Sequence, residues 1–178
     1  MRNLRTYLLA LCAAPTIALA VPDRGSAEPA RATVHVDGSI VREIRQYRVT
    51  TLQLQYVMGR RVVRLSPVTH VSLRRARGIW RRRAVAVTRR YVAGPTHRRA
   101  WLCIHRYEGS WKDGGSPYYG GLQMDIGFQE RYGGRLLRAK GTADHWTPLE
   151  QMWTAEKAFR TGRGFYPWPN TARYCGLL

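Results

Sequence analysis

From Ile44 to Tyr107 the chain contains no Asp or Glu, while arginine recurs throughout. Such a stretch cannot neutralise its own charge, so its arginines must face water or an anionic partner. The imbalance divides the chain. Residues 1–100 hold 20 basic and 4 acidic side chains, whereas residues 101–178 hold 10 and 7. Aromatics run the other way, with 14 of 19 after residue 100, as do 12 of the 17 glycines. The second half therefore has the makings of a folded, chemically active domain. A length of 178 residues suits one ordinary domain rather than two full ones.

The first twenty residues read as an export signal. Arg2 and Arg5 precede an apolar stretch from Leu8 to Leu19 that closes on Ala18-Leu19-Ala20. A positive start, a short apolar core and a small-x-small site make a secretory signal peptide over 1–20. A retained membrane anchor is the competing reading. A lipoprotein signal at Leu11-Cys12 is weaker, because a bulky Leu stands directly before the Cys. Elsewhere no apolar run approaches the roughly 20 residues that span a bilayer. Removing the signal removes Cys12 and leaves Cys103 and Cys175. Two cysteines in an exported chain read as one disulfide, with two free thiols as the alternative. A thiolate zinc site would want four cysteines, and the five histidines show no clustered ligand spacing. No metal or cofactor is expected.

Residues 21–96 read as an Arg-rich arm or linker. Ile40, Val41, Ile44, Tyr47, Leu54 and Val57 have helix-like spacing, which β-branched Val49, Thr50 and Thr51 interrupt. Val62-Val63 and Val68 to Leu73 read as strand or coil, punctuated by Pro67 and Gly78. Arg74 to Arg90 form a basic helix around Trp80, and Gly94-Pro95 ends it. The partner of such an arm is an anionic envelope polymer or lipid, or the arm is a solvated linker. Nucleic acid is the least natural partner for an exported chain without a nucleic-acid motif.

In the second half, Thr96 to Tyr107 has helical periodicity. Trp101, Ile104 and Glu108 share one stripe, with Cys103 and Tyr107 beside it. Gly109 stands where a helix-stopping glycine belongs. Glu108 thus falls at the helix C-terminus, with Trp111 shortly after. A helix end with partial negative charge, and an aromatic ring that excludes water, both suit a carboxyl that must hold its proton until it donates it. The plainer reading is an exposed Glu that closes a helix. Ser110 to Pro117 is loop chemistry leading into Tyr118-Tyr119-Gly120-Gly121-Leu122-Gln123-Met124, a small β segment pivoting on two glycines. Its tyrosines read either as flat faces for sugar rings or as core. Thr147-Pro148-Leu149-Glu150 is a capping box with Pro at the first helical position, and Leu149, Met152, Trp153 and Phe159 give that helix an apolar face up to Gly162.

These residues, in this order, resemble a known family. A helix ending in Glu108, then Gly109 and Trp111, then Tyr118 to Gln123, the capped helix entered at Thr147-Pro148-Leu149-Glu150-Gln151, and a close on Trp168-Pro169 and Cys175-Gly176 look like the resuscitation-promoting factors. Those are transglycosylase-like, lysozyme-related wall enzymes. The resemblance covers Trp101 to Leu178. It implies an α+β, mainly α, small lysozyme-like domain over 97–178, with a peptidoglycan-binding cleft and one essential acid at Glu108. It makes Trp111, Tyr119 and Gln123 candidate substrate contacts. Two departures stand out. The family places its first Cys directly before the Glu, whereas Cys103 lies four residues earlier still, about one helical turn. The family also has two more residues between Glu and Trp.

The implied protein is a secreted, wall-associated glycosidase that cuts the β-1,4 bond of peptidoglycan glycan strands. Hydrolysis needs a second carboxylate, for which Asp113, Asp125 and Asp144 are the candidates. A lytic transglycosylase needs none, because the sugar's own acetamido and 6-hydroxyl groups complete the reaction. The competing class is a non-catalytic, cationic envelope-binding module. Nothing in the sequence calls for more than a monomer.

Overall fold

A computed structural model describes residues 38–60 and 72–178 of the chain. The signal peptide over 1–20 and the strand or coil at Val62-Val63 and 68–71 lie outside the described residues. The described residues belong to one compact unit. The fold is mainly helical: α1 (Gly38–Val57), α2 (Leu73–Ala93), α3 (Arg98–Glu108), α4 (Ile126–Lys140), α5 (Pro148–Ala158) and α6 (Pro169–Tyr174). A two-stranded antiparallel ladder, β1 (Tyr118–Tyr119) and β2 (Met124–Asp125), interrupts them.

The stretch expected to be an arm is, where described, a pair of helices packed on each other. Ala76, Trp80, Ala84 and Val87 form a buried stripe on α2, at the spacing that keeps side chains on one face. The arginines take the rest of the surface. Glu43 of α1 meets Arg77 of α2 at 3.7 Å, and the Trp80 ring lies between the guanidinium groups of Arg48 and Arg83, at 5.4 and 5.2 Å. Stacking on indole lets a guanidinium approach the helix interface while its edge stays hydrated.

Two local expectations here are corrected. Thr50 and Thr51 do not interrupt α1, because the Thr51 hydroxyl donates back to the Tyr47 carbonyl at 2.7 Å and is satisfied inside the helix. Gly78 does not punctuate, since it lies within α2. The pair is also not separate from the second half. Val57, Met58 and Val87 share one core with Trp101, Ile104, Trp146, Trp153 and Trp168. The Trp153 indole donates to the Tyr91 carbonyl at 3.2 Å.

Within the second half, Thr147 and Glu150 make the reciprocal capping box, and Thr147 Oγ1 accepts from Glu150 N at 3.3 Å. Met152 and Trp153 are buried, as the periodicity expects. A five-residue π turn, Phe159–Arg163, follows α5 before the chain reverses. Helix α4 escapes the sequence reading. Asp125 starts it, accepting from Phe128 N at 2.6 Å, and Gly133 lies directly under the buried Trp146 ring.

Gln129 Oε1, Asp144 Oδ1 and Thr154 Oγ1 are buried without a hydrogen-bond partner, whereas the buried Glu156 is tied off. Glu156 is 2% exposed. It accepts from the Trp101 indole at 2.9 Å and lies 3.2 Å from His97 Nδ1. No described helix is long and apolar enough to cross a membrane.

Candidate active site

Helix α3 ends at Gly109, whose φ of 141° is open to glycine and unfavourable for other residues. That termination leaves Glu108 as the last helical residue, with its side chain half-buried. Helix α6 comes to meet it. Cys103 and Cys175 form the disulfide, with their Cα atoms 6.0 Å apart. One turn before Cys175, on the same face of α6, Thr171 donates its hydroxyl to Glu108 Oε1 at 2.7 Å. One carboxylate oxygen is therefore oriented by a fixed donor.

The loop after α3 wraps back over the same helix end. Gln123 Nε2 donates to Asp113 Oδ2 at 2.8 Å and to the Gly120 carbonyl at 3.1 Å. Both side chains crowd Gly109: a Cβ there would lie 3.5 Å from Asp113 Oδ2 and 3.6 Å from Gln123 Nε2. Gln123 itself takes a positive φ of 46°, which turns it out of the ladder. It lines a groove of about 420 Å³ with Tyr118, Asp125, Arg131, Arg163 and Trp168. The Trp168 indole donates to the Leu122 carbonyl at 2.6 Å and so joins α6 to the opposite wall.

The four sequence candidates do not all converge. Glu108 precedes Gly109 in the chain, and Gln123 approaches Gly109 across space. The Trp111 ring stacks on His105, with centroids 3.8 Å apart and planes inclined by 23°. The pair fits because Gly121 has no side chain; a Cβ there would stand 2.5 Å from His105 Nδ1 and 2.8 Å from Trp111 Cε3. Trp111 thus has one face covered by His105 instead of lying free for a sugar. Tyr119 is half-buried and packs against the core, opposite Met124 in the ladder. The tyrosine that reaches the groove is Tyr118, which is 49% exposed. Strand alternation supplies the missed signal: apolar Met124 marks Tyr119 as the inward partner.

The candidate second carboxylates are each engaged. Asp113 Oδ1 accepts from Gly115 N at 3.0 Å, besides the bond from Gln123. Asp125 caps α4, and Asp144 Oδ2 lies 3.2 Å from His145 Nδ1. Gln151 holds the loop from beneath, fully buried. Its amide donates to the Trp111 and Ala143 carbonyls at 2.9 and 2.8 Å, and its oxygen accepts from Gly121 N at 2.8 Å.

Sequence reasoning also passes over Thr171. Once Cys103 and Cys175 are paired, the residue one turn before Cys175 has to face α3, so a signal existed. Arg131 and Arg163 give the far end of the groove a positive field. Burial raises the pKa of Tyr132 beside them, but hydrogen bonds with Thr161 and Arg163 and the charges of Arg131 and Arg163 outweigh it, so the net shift is downward. Among the described residues, no three His, Cys, Asp or Glu side chains gather as a metal site. No family model matches the chain, and no curated protein or solved structure matches it.

Proposed function

We propose that this chain is an exported, lysozyme-like peptidoglycan glycosidase with Glu108 as its general acid and base. The observation that carries the reading is the setting of Glu108. A carboxylate closes a helix, a Thr171 hydroxyl holds one of its oxygens, and Gln123, which approaches the adjacent Gly109, also lines a groove. A general acid works when it is positioned before the substrate arrives.

In the proposed step, Glu108 transfers its proton to the bridging oxygen as the bond from that oxygen to the anomeric carbon breaks. The sugar's 6-hydroxyl then attacks the anomeric carbon and returns its proton to the Glu108 carboxylate, leaving a 1,6-anhydro end. This route uses one carboxylate. It is favoured here because Asp113 is already engaged in holding the loop, through bonds from Gln123 and the Gly115 amide. Gln123 and Tyr118 are the groove residues placed to touch the glycan, with Arg131 and Arg163 facing its acidic substituents.

The test is digestion of purified peptidoglycan, with products read by mass spectrometry and Glu108→Gln run alongside. Anhydro-muropeptides from the parent and at least about a hundredfold less from Glu108→Gln are expected, with unchanged melting. Reducing-end products would support the glycosidase but assign a catalytic role to Asp113. Absence of products from the parent, with retained wall binding, would replace the enzyme by a cationic envelope-binding module. The arginine-covered surface of α2 is the feature that favours that second reading.

A further inference from the structure

A second cavity, of about 520 Å³, opens where the end of α1 meets α4 and the turn after α5. Its wall carries Tyr56, Arg60, Arg131, Lys157, Arg160 and Thr161, and no carboxylate lines it. The cations are held in place. Arg160 donates through Nη2 to the Met58 carbonyl and through Nε to the Glu156 carbonyl. The Lys157 stem packs over Gly59, and its ammonium sits 5.2 Å from the Tyr56 ring centroid. Arg135 approaches the same ring at 4.6 Å.

Like charges gathered in one cavity repel. Burial and the charge of Arg160 pull its pKa down to about 8. An entering anion would reverse that penalty. The guanidinium groups of Arg60 and Arg131, the remaining N–H groups of Arg160, the Lys157 ammonium and the Tyr56 hydroxyl surround the space, while the Thr161 hydroxyl is donated to the Ala158 carbonyl. Together they offer more donors than a planar carboxylate can accept, and they suit the tetrahedral oxygens of a phosphate. The volume exceeds that of a bare ion and suits a phosphorylated unit.

We propose that this cavity binds a phosphate group; it shares Arg131 and Tyr132 with the groove lined by Gln123, and the proposal does not depend on the glycosidase reading. The ligand is either free phosphate or a phosphodiester within a polymer, and the two share the chemistry the cavity recognises.

The test is calorimetric titration of the full chain at fixed salt, with inorganic phosphate and, separately, with a phosphodiester-linked glycerol phosphate oligomer. Binding at one site per chain is expected. Arg131→Gln and Lys157→Gln should each weaken it by at least about tenfold. Arg163→Gln, in the groove only, and Arg138→Gln, on the exposed last turn of α4, should change it less than about twofold. Arg131 is exposed, so its variant is expected to fold normally even if Lys157→Gln does not. Binding of both ligands supports recognition of the phosphate group itself, and binding of the oligomer alone supports a polymer phosphodiester. Equal losses in Arg131→Gln and Arg138→Gln, loss in Arg163→Gln matching that in Arg131→Gln, or no binding of either ligand would overturn the proposal.

Discussion

Opening the Cys103–Cys175 bridge tests how α6 is held against α3. The bridge spans a sequence separation of 72 residues. In the chain-entropy account, a loop of that length restricts the unfolded chain by about 15 cal/mol/K, or about 4.4 kcal/mol at 25 °C. Total stabilities of single domains are about 5–15 kcal/mol, so this one link carries a large share. Cys103→Ser with Cys175→Ser should lower the midpoint of thermal unfolding by about 15 °C, at roughly 3–4 °C per kcal/mol for a domain of this size. Either single serine variant opens the same loop and should fall by a similar amount. Circular dichroism melts and urea titrations read the loss directly. The folded variant should keep α6 docked at 25 °C, because Ala172 and Trp168 remain in the core. A double variant melting within about 4 °C of the parent would refute the reasoning. It would mean that the unfolded chain is already constrained, or that core packing alone fixes the terminal helix.

Thr171→Val removes the hydroxyl that orients Glu108 while nearly keeping the volume, and wall digestion should drop by about tenfold with KM little changed. Steady-state digestion of soluble glycan fragments separates the two parameters. Two adjacent helix glycines should respond with opposite signs. In Gly133→Ala the new methyl meets the pinned Trp146 ring and Thr154 Cγ2 (3.3 Å), for a net loss of about 1–3 kcal/mol by chemical denaturation. Gly134→Ala meets only Arg138 Nη1 at 3.5 Å, and should gain up to about 1 kcal/mol from helix propensity.

Lys157 gives the pH dependence. Its folded pKa is about 8, against 10.5 for an ordinary lysine. Between those values the unfolded chain holds the extra proton, so stability should rise with pH from about 8 towards 10.5, by at most about 3 kcal/mol and less where solvent screens the ammonium. Tyr132 contributes with the same sign, because its pKa is also lowered in the folded state. The Lys157 share is therefore read as the difference between parent and Lys157→Met in urea titrations from pH 7.5 to 9.5, and parallel slopes would contradict it.

What could be read from the sequence was whatever depends on residues three or four apart. The capping box at Thr147 and Glu150, the stop at Gly109 and the ladder around Gly120-Gly121 are local chemistry, and each stands where the pattern places it. Helix α4 was hidden because Gly127, Gly133 and Gly134 lower its propensity by about 1 kcal/mol each relative to Ala, while its cap, Asp125, also resembled a free acid. Gly133 is in the helix for Trp146, a tertiary reason that no local window contains. The site divides along the same line. Glu108 follows from the end of its own helix. Thr171 lies 63 residues away and becomes predictable only through the disulfide.

The acid-free stretch misled most, because charge obscured a stripe in which every other residue is alanine. Ala76 and Ala84 add little apolar signal, yet small side chains let α2 lie close on α1 with Trp80 between the arginines. Charge and structure therefore divide this chain in different places. The change in charge falls near residue 100, but Val57, Met58 and Val87 lie in the same core as Trp153 and Trp168. The phosphate-binding cavity proposed above is assembled across that line as well. Tyr56 and Arg60 come from the acid-free stretch, and Arg131, Lys157 and Arg160 from the nearly neutral half. Neither half contains that cavity by itself, so a fragment beginning at residue 97 should lose phosphate binding even if the groove lined by Gln123 survives.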